Sequence, residues 1–338
     1  MQFEYSEPQT DFEKLLGGYF YVNAFGSIDQ GDDQKFQEFL KNHRPPPRLT
    51  IYIDSIGGHV ETAMAIGRII RGGWHSTAIG QNKLDPYGAD TGIAKRKFVT
   101  GHCYSAATLL FIAGRLRYYS IGSKFGVHQF SFKNPSPSHV GLSQVLSAKI
   151  ANYVTEMGIA PEFLEISSTT PSEQLALVDE PTLQRLNVVT GGQTDVRWTV
   201  QARNNILYVR GERDSMWGHH KVMLCYAKSV GFTFWSVIEA QGREDQLTKF
   251  GLVEIVLNGE AERIDISTRC TRGLFGSYVN VFSPISQDEA RRIAYSDSFG
   301  LQIRLTTDAP VFLGVAAVST DGGKDQLATF YEALSANG

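Results

Sequence analysis

The chain has 338 residues, 42% hydrophobic, 20% charged and 11% aromatic, which is globular composition at a length that accommodates two domains and excludes a stapled mini-protein, a coiled coil or a disordered chain. The formal net charge of −3, with no dense Lys/Arg run, leaves no electrostatic footprint for a phosphate backbone, so nucleic acid is not an expected partner. Cys103, Cys225 and Cys270 cannot all pair within one chain, and their spacing fits neither a disulfide framework nor a CxxC metal knuckle. The first twenty residues are acidic and lack a basic region followed by an apolar core, and no stretch approaches the roughly 20 apolar residues of a membrane span. The expectation is a chain without a membrane span, in the cytoplasm, or in the periplasm if an export signal has been removed.

From Gly18 to about Thr190, short β-rich runs alternate with helical patterns, the habit of an α/β domain on parallel strands. Residues 50–53 read as a strand entered from Pro45-Pro46-Pro47 and leaving through Asp54-Ser55-Ile56-Gly57-Gly58, where glycines permit a tight turn or a close approach. A helix over 60–71 follows, with Val60, Ala63, Met64, Gly67 and Ile70 at helical spacing. Residues 81–98 carry polar, Gly and Pro signals and read as an inserted loop or hairpin near the site. Residues 105–113, SAATLLFIA, predict a helix buried on every face. A short strand at 125–130 contains His128, and 142–157 predict an amphipathic helix through Leu142, Val145, Leu146, Ile150 and Val154.

After Thr190-Gly191-Gly192-Gln193 the pattern changes to short alternating strands at 196–201, 205–210, 232–240, 252–257, 263–267, 277–282 and 301–305, with helices near 286–295 and 324–336. This spacing predicts an antiparallel β-sandwich or barrel-like domain, and the Gly191-Gly192 turn divides the chain into domains 1–190 and 191–338.

Three features bear on chemistry. A serine opening a helix, such as Ser105, is ordinarily a cap or a small packing residue. A strand histidine such as His128 is ordinarily a satisfied core residue. In this order, however, a strand–Gly-Gly–helix unit, a serine at the start of an apolar helix and a histidine are the parts acyl transfer needs. Serine is a weak nucleophile until a base takes its proton, and the tetrahedral oxyanion requires preorganised N–H donors, which a Gly-Gly turn and a helix start supply.

At these residues the sequence resembles the ClpP serine peptidases and the wider ClpP/crotonase fold. IYIDSIGGHVETAMAIGRII at 51–70 is similar to that family's strand–SPGG–helix unit, GHCYSAATLLFIAG at 101–114 to its serine-bearing helix, and RLRYYSIGSKFGVHQF at 115–130 to the segment presenting its histidine. Cys103-Tyr104-Ser105-Ala106 resembles most nearly the uncharacterised, predicted-periplasmic ClpP-like group. The resemblance spans about 18–190 and implies a ClpP/crotonase-like α/β domain followed by a β-rich domain. It makes Ser105 the nucleophile and His128 the general base, with the N–H groups of Gly58 and Ala106 at the oxyanion and Gly57 shaping the turn. It also implies a peptide or protein substrate and a homo-oligomer. Ile56 replaces the family's proline, and the insert at 81–98 lengthens the path from Gly58 to Ser105.

The family's orienting acid falls where this chain offers Pro171-Ser172-Glu173-Gln174, so Glu173 is the expected third member, Asp179 the next, and a dyad a further option. A Ser–Lys arrangement would nominate Lys149 or Lys124, both more simply read as solvated. His219-His220 lacks i, i+4 spacing and reads as a solvated pair, so no metal is expected. Trp198, Tyr208, Trp217, Phe234 and Trp235 read as core before groove. Cys103 reads as buried packing, and no nucleotide motif is present, so no cofactor is expected. Two other readings remain open: a non-catalytic binding or scaffold protein that keeps the fold, and a crotonase-type acyl-CoA enzyme.

Overall fold

The structure, a computed structural model, describes residues 1–16, 19–85, 92–131 and 139–336. The chain divides into two compact units, Met1–Gly192 and Gln193–Gly338. Among the described residues no helix is long and apolar enough to cross a membrane.

The first unit is mixed α/β. In chain order it runs β1 (Gln2–Ser6), α1 (Asp11–Leu16), β2 (Tyr21–Phe25), α2 (Asp32–His43), β3 (Thr50–Asp54), α3 (Val60–Gly72), β4 (Ser76–Ile79), β5 (Gln81–Leu84), β6 (Arg96–Val99), β7 (His102–Tyr104), α4 (Ala107–Ile112), β8 (Arg117–Tyr118), β9 (Lys124–Val127), α5 (His139–Glu156), α6 (Glu162–Thr169), β10 (Ala176–Leu177) and α7 (Glu180–Arg185). A five-stranded sheet has the order β1-β2-β3-β4-β8, parallel except for β1. A three-stranded sheet has the order β10-β9-β7, with β7 and β9 parallel. The two sheets meet at Ser55, whose N–H donates to His102 O at 2.6 Å and whose carbonyl accepts from Tyr104 N at 3.0 Å.

Local sequence explains these elements. Val22 and Ala24 of β2, Ile51 and Ile53 of β3, and Ile79 of β4 are buried in the core, the i, i+2 spacing in β2 and β3 placing each pair on one face of its strand. Helix α3 buries Thr62, Ala63, Met64, Ile66, Gly67 and Ile70, and His59 caps it by accepting from Thr62 N. All six residues of α4 are buried. Gly67 admits Tyr153 of α5, because a Cβ there would lie 1.8 Å from the Tyr153 hydroxyl.

Three expectations change, and a fourth, the insert, is met as a hairpin. The helix expected from Ser105 begins at Ala107, because Ser105 has a left-handed φ of 53°. His128 lies just past β9 instead of within a strand. Leu142 and Val145, expected on a buried face, are exposed, since only the later part of α5 reaches the core through Tyr153 and Val154. The insert at 81–98 contains the β5–β6 hairpin, where Asn82 exchanges two hydrogen bonds of 2.9 Å with the Asn23 amide of β2 and Gln81 donates to Asp54. None of the hairpin's described residues lines the site cavity given below.

The second unit contains β11 (Arg197–Arg203), β12 (Ile206–Ser215), β13 (Gly218–Ala227), β14 (Gly231–Glu239), α8 (Glu244–Lys249), β15 (Leu252–Leu257), β16 (Glu262–Asp265), β17 (Thr271–Phe275), β18 (Tyr278–Pro284), α9 (Gln287–Ala294), β19 (Ser298–Arg304), β20 (Leu313–Ser319) and α10 (Lys324–Ser335). A six-stranded sheet of order β11-β12-β13-β14-β18-β17 and a four-stranded sheet of order β16-β15-β19-β20 are antiparallel throughout. Both contribute to one core, with α9 and α10 supplying Ile293 and Leu327. Trp198 fits between Gly211 and Gly323, where an added Cβ would come within 2.7 and 2.4 Å of the indole. Trp198 and Phe234 are core, whereas Trp217 is exposed, and Tyr208 and Trp235 bond to Gln201 and Asn280. The reading of His219-His220 as a solvated pair is corrected. Strand alternation sends the two rings to opposite faces of β13; His220 is buried, and His219 bonds Asp214 at 3.0 Å.

In the first unit, Glu13 of α1 is fully enclosed and accepts from both terminal nitrogens of Arg96, at 2.5 and 3.0 Å, and from Gln9 and Ala94 N–H. The Arg96 hydrogen bonds hold its carboxyl at about 2, below the ordinary 4.5. A depressed folded-state pKa contributes stability that is complete above the unfolded value and is lost as pH falls from about 4.5 towards 2. Glu13→Gln is therefore expected to lower Tm by roughly 5 °C or more at neutral pH, with the gap to wild type closing as thermal scans move below pH 4.5.

Candidate active site

The site is built on one close approach. Gly57 has φ +99°, and a Cβ there would lie 2.7 Å from Ser105 Cβ and 2.9 Å from Ala106 N. Gly58 has φ +143° and presses on Ile28, whose carbonyl would be 2.1 Å from an added Cβ. Ile28 N donates to Gly57 O at 2.9 Å and His59 N to Ile28 O at 2.8 Å, clamping the turn from one side. Gly57 N is held from within by Ser55 Oγ at 3.1 Å. Among the described residues, Gly58 N–H and Ala106 N–H donate to no backbone carbonyl.

Ser105 sits between β7 and α4, a strand-to-helix turn in which a left-handed non-glycine residue costs about 1–2 kcal/mol. Neighbouring hydrogen bonds fix that conformation. Ser105 N donates to Gly126 O at 3.0 Å, and Thr108 donates to Ser105 O through both its N–H and its hydroxyl. The Ser105 hydroxyl makes no hydrogen bond with a described residue and faces a cavity of about 520 Å³.

His128 lines the same cavity, with Leu109, Val127, Ile150, Phe163 and Leu164 as apolar wall and Ser143, Ser147, Ser167 and Ser168 as hydroxyls. No charged side chain is among these lining residues. The chain after β9 is tied to α6 by Gln129, whose N–H donates to Thr170 O at 2.9 Å and whose side-chain amide donates to Ser168 O. Sequence reasoning missed Gln129 and α6. The signal lies in the apolar spacing of Phe163, Leu164 and Ile166, which reads as a helix but does not reveal what it faces.

The structure thus brings Ser105, His128, Gly57, Gly58 and Ala106 together, and brings the expected acid less far. His128 Nδ1 is buried and has no hydrogen-bond partner among the described residues, and the residue lines the cavity. Glu173 is exposed and accepts from Ser172 Oγ at 2.7 Å. That hydrogen bond first, and the charge of His128 more weakly, hold its carboxyl below the usual range. The correction concerns contact: Glu173 is within electrostatic range of His128 but bonds Ser172. Asp179 caps α7 by accepting from Thr182 N at 3.1 Å, so its carboxylate is engaged elsewhere. Lys149 pairs with Glu61 at 2.6 Å on the surface, and neither it nor the exposed Lys124 lines the cavity. Cys103 is fully buried, and burial, then the charge of Asp54, pushes its thiol pKa well up, as inert packing requires. No group of three or more metal-ligating side chains occurs among the described residues.

Neither a family model nor a curated protein matches the chain. Among solved structures it is similar to a mutant of ClpP1 from Listeria monocytogenes, at 17% identity and a TM-score of 0.37, covering 50% of this chain and 88% of that one. What the site can do is set by its own geometry.

The contact between Gly57 and Ser105 is directly testable. Gly57→Ala should destabilise the protein by about 2–4 kcal/mol, backbone strain plus overpacking. Gly26→Ala, at φ +86° with nothing within 4 Å of the added Cβ, carries the strain alone. Urea denaturation of the two variants measures the difference.

Proposed function

We propose that the first unit is a ClpP-like serine hydrolase acting on peptide bonds. The observation that carries this reading is that Ser105, left-handed at a strand–helix turn, shares a cavity with His128 and Ala106, while the Gly57-Gly58 turn packs against Ser105 and, among the described residues, neither Gly58 N–H nor Ala106 N–H donates to a backbone carbonyl. In the proposed reaction, Ser105 Oγ attacks the scissile carbonyl carbon as its proton passes to His128 Nε2. The carbonyl oxygen becomes an oxyanion that accepts from Gly58 and Ala106 N–H, with Gly57 holding the turn against Ser105. The tetrahedral intermediate collapses, the C–N bond breaks, and the leaving amine takes the proton from His128. Water, deprotonated by the same nitrogen, then hydrolyses the acyl-enzyme and restores Ser105. Glu173 is the proposed orienter of His128.

The lining favours an apolar or hydroxyl-compatible side chain beside the scissile bond, and an extended peptide is the substrate form that fits a site at strand ends. Self-association belongs to the same reading. It is supported by Val140, Leu142 and Val145, exposed on a stretch of α5 without charge from 140 to 148. A crotonase-type acyl-CoA reaction draws no support from the described lining residues, among which there is no Lys or Arg. The unpartnered His128 Nδ1 favours one second reading, a binding protein that keeps the fold without turnover.

A fluorophosphonate probe separates the two. Attack by an activated serine forms an Oγ–P bond and expels fluoride, so mass spectrometry should find the adduct on Ser105. Ser105→Ala should abolish it, and His128→Ala should slow it by about 10²–10⁴-fold. A folded protein that leaves Ser105 unmodified would establish the binding reading.

A further inference from the structure

His128 can act as a base at Nε2 only if Nδ1 carries the proton, because a neutral imidazole has one donor and one acceptor nitrogen. In the structure Nδ1 is buried and has no partner among the described residues. A buried N–H without an acceptor is costly, so the tautomer that catalysis needs is disfavoured in this arrangement. A carboxylate at Nδ1 would reverse that preference through a charge-assisted hydrogen bond.

Glu173 is the carboxylate whose charge interacts with His128, and it is occupied by Ser172 Oγ at 2.7 Å. The segment carrying both residues is anchored at one end to the residue after His128 and at the other to the strand that leads into it. Before it, Thr170 O accepts from Gln129 N. After it, Ala176 pairs with Val127 and Leu177 with Gly126. Within it, Gln174 N closes a turn on Pro171 O at 3.0 Å. The backbone thus stays beside His128 whichever partner the Glu173 side chain takes. Glu173 is exposed and Ser172 half-buried, so packing does not lock the Glu173 side chain in one rotamer.

We propose that Ser172 is a restraining residue that holds Glu173 in an idle position, and that passage of the carboxylate from Ser172 Oγ to His128 Nδ1 switches the base on. Glu173 is then a positioning residue with two states, and Ser172 competes with His128 for it. This inference rests on the hydrolase reading.

The test is a mutant cycle on the full chain, read by the rate of Ser105 phosphonylation and by kcat and KM for p-nitrophenyl butyrate. Removing the competitor in Ser172→Ala should raise the phosphonylation rate and kcat about fivefold or more, with KM little changed. Ser172→Thr, which keeps a hydroxyl, should suppress the gain, and adding Glu173→Gln to Ser172→Ala should remove it. A low-field Nδ1 proton signal from His128 should grow in Ser172→Ala and vanish in the double variant. The proposal is overturned if Ser172→Ala gives no gain, or if the gain or the proton signal survives Glu173→Gln. If Ser105 is unmodified in every variant, the hydrolase reading fails and takes this inference with it; labelling without coupling between Ser172 and Glu173 sinks only the inference.

Discussion

The candidate site depends on the backbone of Gly57 lying against Ser105, closer than any side chain would allow. Three arrangements converge there: Ser55 stitches β3 to β7, Ile28 clamps the far side of the Gly57-Gly58 turn, and Gly126 O fixes Ser105 N. Each brings a different part of the chain to one point. The close approach packs the Gly57-Gly58 turn against Ala106 N and accompanies a left-handed Ser105 that an isolated strand–helix turn would not adopt. The strain is local, and the buried strands and helix around it are what make it tolerable.

That construction separates rigid from adjustable parts. Ser105 and the Gly57-Gly58 turn are held by backbone hydrogen bonds to Gly126 and Ile28, whereas His128 stands just past a strand end and is positioned through Gln129 and α6. Glu173, the expected third member, is an exposed side chain bonded to Ser172. A site preorganised in this way needs only one soft coordinate to regulate it, because imidazole tautomers exchange with the movement of a single hydrogen-bond partner. The cavity walls follow the same division. α4 and β9 are core elements, while the cavity-facing length of α5 includes turns whose outer face is exposed.

The second unit has its own constraint, the large indole of Trp198 seated between two glycines, with its N–H on Ser319 O. That arrangement joins β11, β12, β20 and the start of α10 without leaving the indole nitrogen unpaired. The unit's histidine pair is structural, one ring on each side of β13.

What the sequence determined by itself was the local grammar. The apolar run at 107–112 marks an element buried on every face, Ile51 and Ile53 mark the buried face of β3, the Gly-Gly turn marks a position where no side chain is tolerated, and the change of rhythm at Gly191-Gly192 coincides with the division between the two units. Such signals are legible because propensity and periodicity act over a few neighbouring residues. Strand β13 escaped because His219, His220 and Lys221 break the alternation that its paired neighbours enforce, and the early turns of α5 look amphipathic although nothing described covers Leu142 or Val145. Only the tertiary structure decided which groups meet. The left-handed Ser105, the enclosed Glu13–Arg96 pair, the empty Nδ1 of His128 and the bond of Glu173 to Ser172 follow from distances between segments far apart in the chain or from competition between neighbours. Those outcomes depend on burial and on which hydrogen-bond partner comes within about 3 Å, and residue order does not encode either until the chain has folded.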